Sequence, residues 1–207
     1  MGFQDRAEAG RQLARLLARF ADEKPIVLAV TRGGVPVGAE IARALGAHLE
    51  LLVVRKLPAT PPAEGSVGAI AEGDILITDE KVDQGLPAEL AEACARERAE
   101  IARRVRLYRD GRELPPLAGR TVIIVDDGVS TGMTARAAVA AARRLAPGRL
   151  VVAVPVGSLD VIRELKATVD EVVCVETRMA LWSIGMSYSD FKPVDDEEVL
   201  ATLARFS

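Results

Sequence analysis

The chain has no asparagine, one histidine and two cysteines, and only 3% of its 207 residues are aromatic. With His48 alone, triads built on histidine and zinc sites built on histidine pairs are unavailable. His48 itself reads as an ordinary surface residue leading into a strand. Cys94 and Cys174 stand apart, with no CxxC spacing and no histidine nearby. They read as buried thiols in a reducing cytoplasm rather than as a disulfide or a metal site. Twenty-seven basic residues against thirty acidic ones leave a formal charge of −3. That is not the global basic bias of a nucleic-acid protein, so any polyanion site must be local. No run is long and apolar enough to span a membrane, and Met1-Gly2-Phe3-Gln4-Asp5 lacks a signal-peptide pattern. Arg6 and Ala7 stand where a myristoylation motif wants Ser or Thr. The missing asparagine, scarce glutamine and excess of Arg over Lys fit a thermophilic source and equally a GC-rich genome. There is no Gly-Lys-Ser/Thr for a Walker A loop, and the glycine spacing excludes a Rossmann fingerprint.

What is present is apolar content of 49%, enough for one domain, 1–207, with a full core. Apolar runs alternate with helical patterns. Asp5 is positioned to cap a helix through Phe20, with Leu13, Leu16 and Leu17 on one face. Strands are expected at 26–30, 49–54, 122–125, 150–156 and 171–175, and helices at 35–45, 87–108, 135–145, 159–166 and 195–206. Residues 67–71 and 75–78 read as a hairpin turning at 72–74, and 55–66 as a mobile loop rich in Pro and Ala, with Ser66 and Gly68 as hinges. The alternation implies an α/β fold: a Rossmann-like central parallel sheet flanked by helices, with right-handed crossovers.

The most informative stretch is 121–134, Thr-Val-Ile-Ile-Val-Asp-Asp-Gly-Val-Ser-Thr-Gly-Met-Thr. A buried strand ends in two carboxylates, Asp126 and Asp127, followed by a Gly/Ser/Thr segment and an Ala-rich helix. In open α/β sheets ligands bind at that edge, and a helix N-terminus suits a phosphate. Gly128 and Gly132 let the backbone close around an anion, while Ser130, Thr131 and Thr134 add hydroxyls. An anion cup beside two acids suits a sugar phosphate.

A hydrophobic strand, two acids, a small-residue loop and Thr-Gly-x-Thr resemble the 5-phosphoribosyl-1-pyrophosphate (PRPP) signature of the type I phosphoribosyltransferases. The resemblance implies that family's fold, with a small hood from about 1–20, 67–78 and 177–207. It implies transfer of 5-phosphoribose from PRPP to a nitrogen nucleophile, with Mg²⁺-pyrophosphate departing. Asp126 and Asp127 would hold the ribose hydroxyls, and Gly128, Val129, Ser130, Thr131, Gly132, Met133 and Thr134 the 5′-phosphate. Thr31-Arg32-Gly33-Gly34, after the first strand, corresponds to the family's pyrophosphate loop, often formed around a cis non-proline peptide. Arg55 and Lys56 would face the same group, and Arg32, Lys56, Asp126 and Asp127 would carry the catalysis. Mg²⁺ would ride on PRPP and touch Asp126 or Asp127. The segment 179–192 gathers Trp182, Tyr188 and Phe191, and with Asp190 it is the expected cover for the acceptor base.

One departure stands out. Hypoxanthine-type members carry an Asp three residues after the second acid, where this chain has Ser130, so 6-oxopurine salvage is not expected. The orotate and uracil loop patterns are not evident either. The expected partners are PRPP and a small nitrogen acceptor, without nucleic acid or membrane, and the expected assembly is a cytoplasmic homodimer. A second reading stays open at this stage: a PRPP- or nucleotide-sensing regulator that keeps the fold without turnover.

Overall fold

The structure, a computed structural model, describes residues 2–58, 66–78 and 88–206. In chain order the first half carries α1 (Arg6–Leu17), β1 (Ile26–Val30), α2 (Gly34–Leu45), β2 (His48–Leu52), β3 (Val54–Pro58), β4 (Ser66–Ala71) and β5 (Ile75–Thr78). Then come α3 (Ala88–Arg109), β6 (Thr121–Val125), α4 (Met133–Arg143), β7 (Arg149–Ser158), α5 (Leu159–Lys166), β8 (Glu171–Arg178) and α6 (Asp196–Leu203). β2-β1-β6-β7-β8 form a parallel sheet in that order, and β3-β4-β5 a small antiparallel one.

The parallel sheet has two cores because strand side chains alternate. Val27, Ala29, Ile123 and Val125 face α1 and α2, with Leu13, Leu17, Val37 and Ile41 packed on them. Leu28, Val30, Val122 and Ile124 face the opposite layer, where α4 supplies Ala138 and Ala142 and α5 supplies Ile162 and Leu165. The small sheet repeats the pattern: Leu57 and Ile70 pack with Cys94 and Ile101 of α3, while Ala69 and Ala71 pack with α4. Asp5 caps α1 by accepting from the Glu8 amide at 2.7 Å, and Asp195 caps α6 through the Glu198 amide at 2.8 Å. Cys94 is buried and Cys174 half-buried, both unbridged.

Most expected elements are present within a residue or two at each end. Three readings need correction. Leu16 is 44% exposed and lies on the outer face of α1, whose inner stripe is Leu13, Ala14 and Leu17. The expected strand at 49–54 is two strands, because the chain leaves the parallel sheet at Val53. Both backbone groups of Val53 are taken by Glu72: its amide donates to Glu72 Oε1 at 3.1 Å, and its carbonyl accepts from the Glu72 amide at 3.0 Å. Arg55 and Lys56 therefore sit in β3, paired with Ile70 and Ala69, and not at the mouth of a loop. The expected mobile loop falls largely on 59–65, outside the described residues. Its supposed hinges lie in β4, where Ser66 Oγ donates to the Leu57 carbonyl and a Cβ on Gly68 would collide with the Ile77 carbonyl.

Of the segments expected to form a hood, 1–20 and 177–207 meet at Phe3 and Tyr188, while 67–78 belong to the small sheet between α3 and α4. Among the described residues no helix is long and apolar enough to cross a membrane.

Ile123 is fully buried in β6, the middle strand of the parallel sheet. Ile123→Ala should cost about 2–5 kcal/mol through lost burial and a residual cavity. Urea unfolding should show a lower midpoint with an unchanged slope.

Candidate functional site

The site forms where β1 and β6 end and β3 begins. Asp126 and Asp127 follow β6 directly, and Asp126 Oδ1 accepts from the Asp127 amide at 2.8 Å. The next turn is clipped to the extension of β7: the Val129 amide donates to the Val156 carbonyl and the Ser158 amide to the Val129 carbonyl, each at 2.9 Å. Gly132 then adopts φ +79°, a left-handed conformation that costs glycine little, immediately before α4. The Thr134 hydroxyl, in the first turn of α4, is buried and has no partner among the described residues.

The loop after β1 presses on this turn. The Thr31–Arg32 peptide is cis. A Cβ on Gly33 would overlap Asp127 Oδ2, so only glycine lets the loop rest on that carboxylate. The Thr31 hydroxyl is also buried, without a partner among the described residues. Together these elements enclose a cavity of about 570 Å³. Thr31, Arg32, Gly33, Arg55, Lys56, Asp126, Asp127, Gly128, Val129, Ser130, Thr131, Gly132, Thr134 and Trp182 all line it. One ring of backbone thus gathers the expected pyrophosphate, ribose and 5′-phosphate groups. Met133 is the exception in the turn, since its side chain packs in the core beneath α4.

The expected acceptor residues divide. Trp182 lines the cavity and is 90% exposed. Tyr188 does not line it. Its ring is buried between Phe3 and Phe191, and its hydroxyl donates to the Asp127 carbonyl at 2.6 Å, so it supports the acid turn and has no free face for a base. Asp190 also points away, paired with Lys192 at 3.0 Å. Phe191 lines the cavity, but the Arg6 guanidinium lies 3.8 Å from its ring centre.

Two lining arginines escape a reading of the sequence. Arg6, the first residue of α1, donates through Nε to Asp127 Oδ2 at 2.8 Å, with both side chains 11% exposed. Its Nη1 donates to the Lys192 carbonyl at 2.8 Å. Nothing local signals a partnership across 121 positions. Arg104 sits on α3, whose Glu/Arg spacing reads as solvated, yet it lies seven residues after Glu97 and three after buried Ile101, on the face turned to the protein. That periodicity was the available signal.

The acid pair is electrostatically expensive. Burial, then repulsion from Asp127, pushes the Asp126 carboxyl well above its ordinary range. Burial also raises Asp127, against a lowering pull from Arg6. The Lys56 ammonium favours the charged form of both acids.

Comparison with known proteins agrees with this geometry. The chain matches the family described as the phosphoribosyl transferase domain over residues 4–190. It belongs to the phosphoribosyl transferase family. It is 41% identical over 206 residues to the Mycobacterium tuberculosis protein named "Putative phosphoribosyl transferase Rv0571c", and equally to its counterpart in strain CDC 1551. That match covers 98% of this chain and 46% of the relative, so the chain spans about half the length of the curated proteins it matches. The crystal structure of the Thermus thermophilus protein TT1426 superposes with a TM-score of 0.82 at 38% identity, covering all of both chains. The architecture, a helix-flanked parallel sheet with a second small sheet, is the type I phosphoribosyltransferase fold.

Because their carboxyls are raised, the two acids bind protons more readily folded than unfolded. They destabilise the fold at neutral pH, and that cost fades as pH falls through the raised range toward 3.8. Asp126→Asn should therefore raise the Tm of the unliganded protein at pH 7, by about 2–4 °C for each kcal/mol relieved, and the gain should shrink on acidification. Arg6→Ala should do the reverse, costing about 3–5 kcal/mol by leaving Asp127 buried and unpaired. Calorimetry across pH 4–8 checks both signs.

Proposed function

We propose that this domain transfers 5-phosphoribose from PRPP to a nitrogen nucleophile and releases pyrophosphate. The observation that carries the proposal is one cavity in which an acid pair, a Gly/Ser/Thr turn at a helix N-terminus and the cations of β3 converge. Asp126 and Asp127 would accept hydrogen bonds from the ribose 2′ and 3′ hydroxyls. Backbone amides of 128–134, with the Thr134 hydroxyl, which has no partner among the described residues, would take the 5′-phosphate. The Thr31–Gly33 loop, Arg55 and Lys56 would receive the pyrophosphate. The bond from the anomeric carbon to pyrophosphate breaks as the nitrogen attacks from the opposite face, and the electron pair leaves with pyrophosphate. The intervening state resembles an oxocarbenium ion, so the protein acts by positioning and charge stabilisation.

The cavity's anionic side chains are carboxylates, with no histidine or cysteine among its lining residues, which suits a hard cation such as Mg²⁺. Among the described residues no three acids, histidines or cysteines gather to hold one alone. The ion would arrive on the substrate's phosphates, with Asp126, which no arginine or lysine among the described residues bridges, as the nearest protein ligand. Bound there, Mg²⁺ would neutralise charge on the departing pyrophosphate.

The acceptor would enter beside Trp182, Ser183 and Ile184, away from the cations of β3. Among the described residues no carboxylate lies on that wall: Asp190 faces Lys192, and position 130 is Ser. This wall therefore lacks an acid to hold the 6-oxopurine edge.

The deciding assay is pyrophosphate release from PRPP and Mg²⁺ across a panel of bases, amines and ammonia. Release with one acceptor and weak or no turnover of hypoxanthine is expected. Asp126→Asn with Asp127→Asn should weaken PRPP binding by roughly 1.5–3 kcal/mol per lost charged hydrogen bond. Trp182→Ala should raise the acceptor KM and leave PRPP affinity nearly intact. PRPP binding without release under any acceptor would mark the domain as a sensor.

A further inference from the structure

We propose that Arg104, on the long helix α3, is a pyrophosphate-binding residue of this cavity. The inference rests on the transferase reading above and adds to it a group that neither the signature nor the loops contain.

Arg104 is one of two buried arginines on its helix; the other, Arg109, pairs with Glu72 and does not line this cavity. Arg96, Arg98 and Arg103 leave 45–68% of their side chains exposed, but the Arg104 side chain is only 6% exposed. Its one close partner among the described residues is Glu100, one turn back, which accepts from Nε at 2.7 Å. That bond fixes the stem and leaves the two terminal nitrogens. They meet no acceptor among the described residues, although Arg104 lines the main cavity. Guanidinium nitrogens that open onto a cavity and hold no protein acceptor are available to an anion bound there. A guanidinium can take two phosphate oxygens at once, as an ammonium cannot.

The remaining cations of the cavity are largely committed. Arg6 holds Asp127, Arg55 donates to Glu97 at 2.6 Å, and Arg32 lies 3.4 Å from Asp196. Among the described residues, Lys56 and Arg104 are the lining cations with no ion pair to an acid beyond their own helix turn. The topology decides which anion Arg104 serves. Arg32 follows β1, Arg55 and Lys56 lie in β3, and α3 packs on β3, so all four cations come from one side of the cavity. The 5′-phosphate cup follows β6, and the Trp182 wall follows β8. Arg104 therefore faces the departing diphosphate rather than the sugar phosphate or the acceptor.

The position is also held rigidly. Tyr108, one turn further on, donates to Asp196 Oδ1 at 2.5 Å, and Arg103 donates to Asp196 Oδ2 at 2.9 Å. Asp196 thus ties α3 to the guanidinium of Arg32, so the two arginines are set relative to each other before any ligand binds.

The test compares three ligands by titration calorimetry on the full chain with Mg²⁺: inorganic pyrophosphate, PRPP and ribose 5-phosphate. Ribose 5-phosphate fills the acid pair and the cup but carries no diphosphate. Arg104→Gln should weaken pyrophosphate and PRPP about 10- to 100-fold and leave ribose 5-phosphate within about twofold. Equal loss for all three would make Arg104 merely structural, and no loss of pyrophosphate would remove it from the site; either result overturns the proposal. Should the glutamine variant fold poorly, Arg104→Lys keeps the charge but not the fork, and a several-fold loss confined to the diphosphate ligands is expected. Undiminished pyrophosphate affinity in that variant would overturn the proposal equally. If the wild type binds ribose 5-phosphate but neither pyrophosphate nor PRPP, the transferase reading itself fails.

Discussion

The structure turns on the burial of two adjacent carboxylates at the end of its middle strand. Side by side in a poorly solvated turn, Asp126 and Asp127 repel each other and resist ionisation. Neighbouring segments are arranged around that cost. Arg6 reaches from the first turn of α1 to pair with one acid, and the Tyr188 hydroxyl holds the carbonyl beneath it. Gly33 withdraws its side chain to leave the carboxylate room. The Arg6 guanidinium spans Asp127, the Phe191 ring and the Lys192 carbonyl, so the start of the chain fastens the segment that carries Trp182. Stability is spent at this point to keep anionic oxygen facing a cavity.

Much of this was legible in the sequence, for identifiable reasons. The alternation of β-branched runs with helical patterns gives the parallel sheet, since such runs bury both faces. The turn after β6 was legible because a phosphate cup needs small residues in fixed order, and that order survives in one dimension. The cis peptide at Thr31–Arg32 fell where the resemblance implied it.

The misreadings share a different cause. Residue type alone places Leu16 in the core and Tyr188 against a base, whereas their environments are set by neighbours far along the chain. Tyr188 is buried because Phe3, 185 positions earlier, closes over it. Arg6 and Arg104 are hidden in the sequence for a similar reason: an arginine beside acids on a helix reads as a surface ion pair until tertiary packing turns it inward. The break at Val53 was invisible because no Pro or Gly marks it, and a glutamate nineteen residues on makes the bend.

That bend has a mechanical meaning. The chain passes from one sheet to the other through Val53, and Glu72 grips both its backbone groups while its carboxylate also accepts from buried Arg109. Burial raises the Glu72 carboxyl, and the arginine offsets part of that rise. A joint clamped from both sides works as a weld, and Arg55 and Lys56 are the next residues after Val54. They ride on a fixed bracket, so little conformational entropy is left for a bound anion to remove. A relative carrying a shorter or uncharged residue at position 72 would keep the same cations but lose their aim.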